Sequence, residues 1–230
     1  MTVMSLADRL ARLRETLPPH VKLVAVSKYT TADGIREAYR CGLRDFGENR
    51  VPDAIAKQEA LSDLPDLVWH GIGTLQTNKA RRALSVFSWI HSVDRLKLAQ
   101  TLDRLVVETG STPRLLLQVK LAPDPDKEGW EPDQLWADLP ALQQCQHLNF
   151  VGLMTILPLG LAPTAAQAVF EDVARWRDRL RQHHPYWQNL EWLSMGMSGD
   201  YDLAIAAGSN LVRLGTAIFG GRPAIDPTNL

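Results

Sequence analysis

A lysine at the end of an apolar run is the first residue in this sequence that could carry chemistry. The run VKLVAVSK, residues 21–28, is rich in aliphatic and β-branched side chains, which is typical of a buried parallel strand. Lys28 would lie at the carboxyl end of that strand. Because an ammonium group is costly to remove from water, it would have to be paired, neutralised or used covalently there. The competing interpretation is that Lys28 has left the strand and extends into solvent.

Two later segments carry residues suited to binding an anion. Ser198 is predicted to begin a helix directly after a turn at Gly196, so its hydroxyl and the nearby amides could face a phosphate. Gly215 offers a backbone amide with no side chain in the way, and Thr216 adds a second hydroxyl. Ser198 could instead simply cap a helix, and Gly215 could relieve crowding. Both interpretations stay open on these residues alone.

A phosphate site across from a lysine points to one cofactor above others. Pyridoxal 5′-phosphate (PLP) has an aldehyde for a lysine and a phosphate for amides and hydroxyls. Arg213 would then face the pyridine ring, where a permanently charged guanidinium disfavours protonation of the ring nitrogen. An unprotonated ring is a weaker electron sink, so carbanion chemistry would be restrained. The alternative is that Arg213 forms a salt bridge to a carboxylate inside the fold.

A regular alternation of strands and helices positions these residues. Strand-like segments begin near residues 21, 43, 67, 87, 114, 149, 190 and 211, with helical segments between them. Such alternation predicts a parallel sheet, because parallel strands need crossover connections. Eight units in 230 residues match an α/β protein with a single (β/α)8 TIM barrel, which typically has about 250 residues. The competing doubly wound sheet would carry a glycine-rich turn after its first strand, where this chain has Lys28-Tyr29-Thr30.

No linker or change of composition divides the chain, so we predict one domain over residues 1–230. Leucines at positions 6, 10, 13 and 17 predict an amphipathic helix within residues 1–20, packed on the barrel. In such barrels the carboxyl ends of the strands form the active face. The side chains predicted to lie at or just beyond those ends are Lys28, Asn49, His70, His91, Lys120, Met154, Ser198 and Arg213.

The composition is that of an ordinary soluble globular protein, with 45% hydrophobic and 22% charged residues and a formal net charge of −1. We therefore expect no binding to nucleic acid or to an anionic membrane surface. No apolar run approaches the ~18 residues of a spanning helix, and the N-terminal segment does not resemble a signal peptide. Cys41 and Cys145 are far apart and lack a metal or redox motif, which predicts reduced thiols and a cytoplasmic location.

Six segments together resemble a known family. They occur in order from about residue 21 to residue 222: AVSKYT, FGENRV, WHGIGTLQTNK, GLMTI, LSMGMS and VRLGTAIFG. On these segments the chain resembles the pyridoxal phosphate homeostasis proteins, a PLP-binding family similar in fold to the barrel domain of alanine racemase. One departure is Lys120 in QVKLAPDPDKEG, where the family usually has an asparagine. Any family role for position 120 is therefore in doubt.

The resemblance implies a cytoplasmic, monomeric barrel that binds PLP, buffers or delivers it to PLP-dependent apoenzymes, and affects amino- and keto-acid balance. It implies a covalent internal aldimine between PLP and Lys28, and Arg213 at the pyridine nitrogen. It also implies phosphate contacts from Ser198, Gly215 and Thr216, with Asn49 near the cofactor. No catalytic residue and no metal follow from it, and no catalytic turnover is established for the family.

The alternative function is a PLP-dependent amino-acid racemase or lyase. Racemisation needs a base on each face of the α-carbon, and alanine racemases obtain one of them, a tyrosine, from an additional domain that we do not find after the eighth strand. Tyr29 follows Lys28 directly, but we expect it to face solvent or the adjoining loop. His70 and His91 could substitute, although hydrogen bonding within the barrel is the favoured interpretation for both. A third interpretation is a regulatory scaffold whose PLP reports metabolic state.

Overall fold

Eight parallel strands form a closed barrel in the computed structural model, which describes residues 4–221. The strands pair in chain order, and the eighth closes onto the first. Their bounds are β1 Lys22–Val26, β2 Asp45–Glu48, β3 Val68–Gly71, β4 Trp89–Val93, β5 Arg114–Gln118, β6 Asn149–Met154, β7 Trp192–Ser194 and β8 Leu211–Leu214. The predicted (β/α)8 TIM barrel is confirmed.

Helices cover the outside of the barrel and connect its strands. Their bounds are α1 Leu6–Thr16, α2 Ala32–Arg40, α3 Val51–Ala60, α4 Ala80–Val86, α5 Leu96–Thr109, α6 Pro132–Leu142, α7 Pro163–His183, α8 Tyr201–Ala206 and α9 Thr216–Phe219. Short 3₁₀ turns occur at Thr77–Lys79 and Pro185–Trp187. None of the helices in the described range is long and apolar enough to cross a membrane.

The N-terminal helix α1 packs on the barrel through one apolar face. Leu6, Leu10 and Leu13 are buried, as their spacing predicts. A capping box at Ser5 and Asp8 begins the helix, because each side chain accepts a hydrogen bond from the backbone N–H of the other. Residues 1–3, at the start of the predicted helix and of the predicted domain, lie outside the described residues, as do residues 222–230.

Polar strand residues are buried because both faces of a barrel strand are covered. The sequence FSWIHSVD alternates apolar and polar side chains, yet all five residues of β4 are buried. Outward side chains pack under the helices, and inward ones fill the barrel. The apolar part of the interior includes six residues from five strands: Val24, Trp89, Leu116, Val151, Met154 and Leu211.

Most strands are shorter than the apolar runs that predict them. β1 ends at Val26, two residues before Lys28, and β5 ends at Gln118, two residues before Lys120. The runs continue past the hydrogen-bonded ladder because the loops beyond it are also partly covered. Helix α6 contains Pro140 without a break and ends at Leu142.

Candidate functional site

Lys28 lies in the turn that follows β1, and its side chain is exposed. The Thr30 N–H donates to the Ser27 carbonyl at 2.8 Å and closes this turn. Tyr29 has a φ of 68°, a left-handed conformation that residues other than glycine adopt rarely. Within residues 4–221 the Lys28 ammonium has no hydrogen-bond or ion-pair partner. The interpretation in which Lys28 has left the strand is confirmed, and the turn leaves its amine accessible at the barrel mouth.

A buried ion pair fixes the backbone directly before Lys28. The Ser27 hydroxyl donates to Oε1 of Glu48 at 2.5 Å. Nζ of Lys57 donates to the same oxygen at 2.6 Å and to the Ser27 carbonyl at 2.8 Å. The Glu48 side chain is 1% exposed and that of Lys57 15%. Both members of the pair thus contact Ser27. Neither was predicted from the sequence. An acidic residue, Glu48, at the end of the largely buried β2 segment was the available sign that a buried charge needs a partner there.

A cavity of about 600 Å³ brings Lys28 together with the residues that follow β8. Gly215 and Thr216 line it along with Lys28. The reason is topological, because β1 and β8 are paired parallel neighbours, with Val24 opposite Arg213. The loops that follow two such strands meet at the same end of the barrel. Three of the predicted site residues are therefore brought to one place.

Ser198 joins this group through a hydrogen bond and not as a helix cap. Helix α8 begins at Tyr201, and Asp200 occupies its N-cap position, so the prediction that Ser198 begins the helix is wrong. The carboxylate of Asp200 accepts from the Met197 N–H at 2.6 Å, which holds the chain in a turn before the helix. The Ser198 hydroxyl oxygen accepts from the Ala217 N–H at 3.3 Å. This contact places Ser198 beside the first turn of α9.

Arg213 is buried inside the barrel, one residue before the end of β8. Its Nη1 donates to the carbonyl and the hydroxyl of Ser194 at 2.5 and 2.6 Å, and its Nη2 donates to the Thr155 carbonyl at 2.8 Å. Burial lowers the pKa of Arg213 to about 10, although the charge of Asp200 opposes this shift. The guanidinium is therefore charged at neutral pH. No carboxylate of the described residues forms an ion pair with it, so the alternative of a salt bridge is not found there.

Asn49 lies at a second cavity, of about 470 Å³, which Arg50, Thr74 and Lys79 also line. The loop after β3 packs closely on it, because a Cβ at Gly73 would lie 2.3 Å from the Asn49 carbonyl oxygen. Unlike Gly215 and Thr216, Asn49 is therefore not brought into the cavity that Lys28 lines.

Lys120 has left its strand and belongs to the loop that follows β5. Its Nζ donates to the Asp124 carbonyl at 3.3 Å and pairs with Oε1 of Glu131 at 3.3 Å. The residue at the end of β5 is instead Gln118, which donates to the Glu128 carbonyl at 2.7 Å.

His70 and His91 lie inside the barrel and contact each other. Nδ1 of His70 is 3.0 Å from Nε2 of His91, and both side chains are fully buried. Burial is the largest cause that lowers the pKa of each imidazole. Asp45 opposes the shift at His70, while the charge of Arg213 adds to it at His91. The favoured interpretation, that both histidines hydrogen-bond within the barrel, is confirmed.

The comparison with known proteins agrees with this architecture. The family model described as alanine racemase, N-terminal domain, matches residues 2–223. Pyridoxal phosphate homeostasis proteins of Synechocystis sp. and Pseudomonas aeruginosa are 48% and 43% identical to the chain over 207 and 225 residues. These matches cover 90% and 95% of this chain and 94% of each relative. The chain belongs to the pyridoxal phosphate homeostasis protein family.

Solved structures of a relative extend the match to three dimensions. PipY of Synechococcus elongatus has been solved without PLP and with PLP bound, and the TM-scores to this chain are 0.91 and 0.90. The sequence identities are 54% and 53%, over 94% of this chain and 100% of PipY. An alanine racemase of Clostridium difficile shares the fold alone, with a TM-score of 0.73 and 14% identity over 96% of this chain and 58% of the racemase. The family resemblance of the six segments is confirmed.

Proposed function

We propose that this chain binds pyridoxal 5′-phosphate at the mouth of its barrel and takes part in PLP homeostasis. The observation that carries the proposal is the cavity that Lys28, Gly215 and Thr216 line together. It joins an accessible amine to backbone and hydroxyl groups of the kind that bind phosphate. The names of the relatives, and the PipY structure with PLP bound, support the same ligand.

The donor groups present fit the two ends of this cofactor. At the phosphate end, we propose contacts from the Ser198 and Thr216 hydroxyls and from the backbone of Gly215, because Ser198 lies beside the turn that the other two form. At the ring, we propose that Arg213 donates to the pyridine nitrogen. A buried guanidinium that is charged and unpaired by a carboxylate suits a neutral acceptor. We place Asn49 near the cofactor on the family resemblance, although it lines a different cavity.

We infer that Lys28 holds PLP covalently as a Schiff base. Bound PLP would supply an aldehyde carbon to the neutral Lys28 amine, with a C=N bond formed in place of the C=O bond and one molecule of water released. The exposed position of Lys28 supports the reaction, since solvent can accept and return the protons involved. The turn supports it too, because the ion pair of Glu48 and Lys57 holds Ser27 and thereby the backbone from which the amine extends.

We propose a carrier without catalytic turnover, which buffers PLP, delivers it to PLP-dependent apoenzymes and thereby affects amino- and keto-acid balance. The open cavity and the exposed amine support reversible loading. We propose that the carrier is a single barrel domain over residues 1–230 and acts as a monomer. We also propose a cytoplasmic location, which the two free cysteines support. Burial raises the pKa of the Cys145 thiol to about 11, so this thiol stays protonated at neutral pH.

The deciding experiment is borohydride reduction of the PLP-loaded protein followed by peptide mapping. We expect one PLP group per chain, fixed to Lys28, and loss of both the label and the Schiff-base absorbance in Lys28→Ala. The matched control is Lys97→Ala, because Lys97 is an exposed lysine on α5. A purified protein that PLP cannot tint would overturn the proposed ligand. A label on another lysine would overturn the role of Lys28 alone.

Enzyme activity is tested separately. The carrier predicts that the PLP-loaded protein leaves the optical rotation of L-amino acids unchanged over a broad panel. A racemase predicts its loss at a rate typical of enzymes, on the order of 1–10³ per second. The Lys28→Ala variant is the control, since any turnover at PLP would disappear with it.

A further inference from the structure

A line of hydrogen-bonded side chains crosses the barrel interior from the amino-terminal end of β1 to Arg213. The contacts join Lys22 Nζ to Asp45 Oδ1 at 3.0 Å, Asp45 Oδ1 to His70 Nε2 at 2.9 Å, His70 Nδ1 to His91 Nε2 at 3.0 Å, His91 Nδ1 to Ser194 Oγ at 2.8 Å, and Ser194 Oγ to Arg213 Nη1 at 2.6 Å. We call it the interior chain.

Each member of the interior chain comes from a different strand. The strands are β1, β2, β3, β4, β7 and β8 in the order of the contacts. Alternate residues of a barrel strand point inward. Most of the contacts join adjacent strands, while His91 on β4 meets Ser194 on β7 across the interior. Only the Lys22 end reaches solvent appreciably, since its side chain is 30% exposed and that of Asp45 16%. His70, His91 and Ser194 are fully buried.

The residues at the two ends of the interior chain determine which atom donates in each of its hydrogen bonds. The pKa of the Asp45 carboxyl is lowered, because hydrogen bonds from His70 and Lys22 and the charge of Lys22 outweigh the opposing effect of its burial. A carboxylate only accepts, so His70 must donate from Nε2 and accept at Nδ1. His91 must then donate from Nε2 and accept at Nδ1, and the Ser194 hydroxyl donates to it.

The other end requires the same direction. A guanidinium only donates, so the Ser194 oxygen accepts from Arg213 and is free to donate its own proton to His91. Both imidazoles are therefore neutral, with the proton on Nε2. A protonated imidazole has two N–H donors and no acceptor. An added proton on either ring would therefore leave two N–H donors facing each other, or an N–H donor facing the Ser194 O–H. A buried polar chain with every member satisfied is rigid, whereas a partly satisfied one is costly.

We propose that Asp45, His70, His91 and Ser194 are positioning residues for Arg213. They hold the guanidinium in one orientation and leave its remaining donors for a ligand. Of the five N–H donors of an arginine, Nη1 uses two on Ser194 and Nη2 uses one on Thr155, so two remain. The interior chain does not conduct protons to the barrel mouth, because the Arg213 guanidinium has no lone pair to receive a proton.

This inference rests on the proposed function in one respect, namely that the ligand of Arg213 is the ring nitrogen of PLP. The interior chain would then select an unprotonated ring nitrogen, because a fixed donor faces it. A displaced guanidinium would let that nitrogen take up a proton. The state of the ring nitrogen is thus set by residues that do not touch the cofactor.

The first test needs no cofactor. The full chain, freed of PLP and labelled with ¹⁵N in its histidines, reports the protonation of each ring nitrogen by NMR at neutral pH. We expect His70 and His91 to be protonated at Nε2 and unprotonated at Nδ1. His147 serves as the internal reference, because it is exposed and contacts the Asp103 carboxylate. A proton on Nδ1 of either buried histidine would overturn the interior chain.

The second test uses the PLP-loaded protein. The probe is PLP labelled with ¹⁵N at the pyridine nitrogen, whose chemical shift separates protonated from unprotonated rings. We expect Ser194→Ala to move this signal toward the protonated position and Ser194→Thr, which keeps the hydroxyl, to restore it. If Ser194→Ala does not fold, Ser194→Cys keeps the shape with a much weaker acceptor and should move the signal in the same direction. An unmoved signal in the folded Ala or Cys variant would overturn the positioning role.

The two tests separate the failures. A protein that binds no PLP would overturn the proposed function, while the histidine spectrum would still decide whether the interior chain has the stated direction. A protein that binds PLP but shows the opposite histidine tautomers would overturn the inference alone.

Discussion

Nδ1 of His70 lies 3.0 Å from Nε2 of His91 within the closed interior of the barrel. The His70 ring also stacks on Trp89, with ring centroids 5.3 Å apart. Two imidazoles in such contact cannot both be charged, since among the described residues a single carboxylate, that of Asp45, contacts the pair. This relationship makes the folded state sensitive to acid.

We predict that the free energy of unfolding decreases as the pH falls below about 6.5, the ordinary pKa of histidine. Burial lowers the pKa of both histidines in the folded state, so the unfolded state binds protons first. The contribution of the two neutral histidines to the stability of the folded state is complete above about pH 6.5. It is lost progressively as the pH falls toward their lowered pKa values in the folded state, by up to about 1.4 kcal/mol per pH unit for each histidine. Asp45 opposes this shift at His70, while the charges of Lys22 and Arg114 add to it. The charge of Arg213 adds to the shift at His91.

Urea unfolding between pH 7.5 and 5.5 measures this dependence. His91→Phe should flatten the slope, because one of the two titrating groups is gone. His147→Ala is the control and should leave the slope as it is, since His147 is exposed. An equal slope in wild type and His91→Phe would contradict the prediction.

The ion pair below Lys28 should matter for both stability and loading. Lys57→Met removes the cation from Glu48, whose Oε2 already lacks a hydrogen-bond partner among the described residues. Breaking a buried pair in this way costs about 3 kcal/mol. We also expect slower attachment of PLP to Lys28, because Ser27 loses its tether. Arg175→Met, at an exposed ion pair on α7, should cost less than about 1 kcal/mol. Denaturant titration measures the free energy of unfolding, and stopped-flow absorbance measures the rate of PLP attachment. Attachment at the wild-type rate in Lys57→Met would contradict the proposed effect on loading.

Gly152 on β6 packs closely against the paired strand β7. A Cβ there would lie 1.9 Å from the carbonyl oxygen of Trp192 on the paired strand β7. Because backbone atoms cannot move aside singly, Gly152→Ala should destabilise the fold by about 3 kcal/mol or more. Gly199→Ala is the matched control, as nothing lies within 4 Å of a Cβ there. Thermal unfolding compares the two, and equal melting temperatures would show that the strands separate readily.

The proposed phosphate contacts predict a graded loss of PLP affinity. Ser198→Ala and Thr216→Val each remove one hydroxyl, and a hydrogen bond to a charged group is worth about 1.5 kcal/mol. We therefore expect each to raise the Kd for PLP about tenfold. Ser85→Ala, an exposed serine on α4, should leave the Kd as in wild type. Equilibrium dialysis of the PLP-free proteins measures the Kd values. An unchanged Kd in both site variants would show that the phosphate of PLP does not bind at these two hydroxyls.

The sequence by itself determined the class of fold and three of the residues that meet at the barrel mouth. Periodic apolar runs predict eight strands and their helices, because burial imposes a period of two on strands and of about 3.6 on helices. Parallel strands of one barrel bring their carboxyl ends together. Lys28, Gly215 and Thr216 could therefore be assigned to one place before any coordinate was known.

Only the tertiary structure decided how those residues are supported. The true end of β1 at Val26 depends on pairing with neighbouring strands, which an apolar run does not reveal. Ser198 binds the Ala217 amide and does not cap α8, because the competing cap, Asp200, lies nearer the helix. The interior chain from Lys22 to Arg213 joins residues as far apart in sequence as those of β1 and β8. Its members look like ordinary polar residues in sequence, and barrel closure alone makes them contacts.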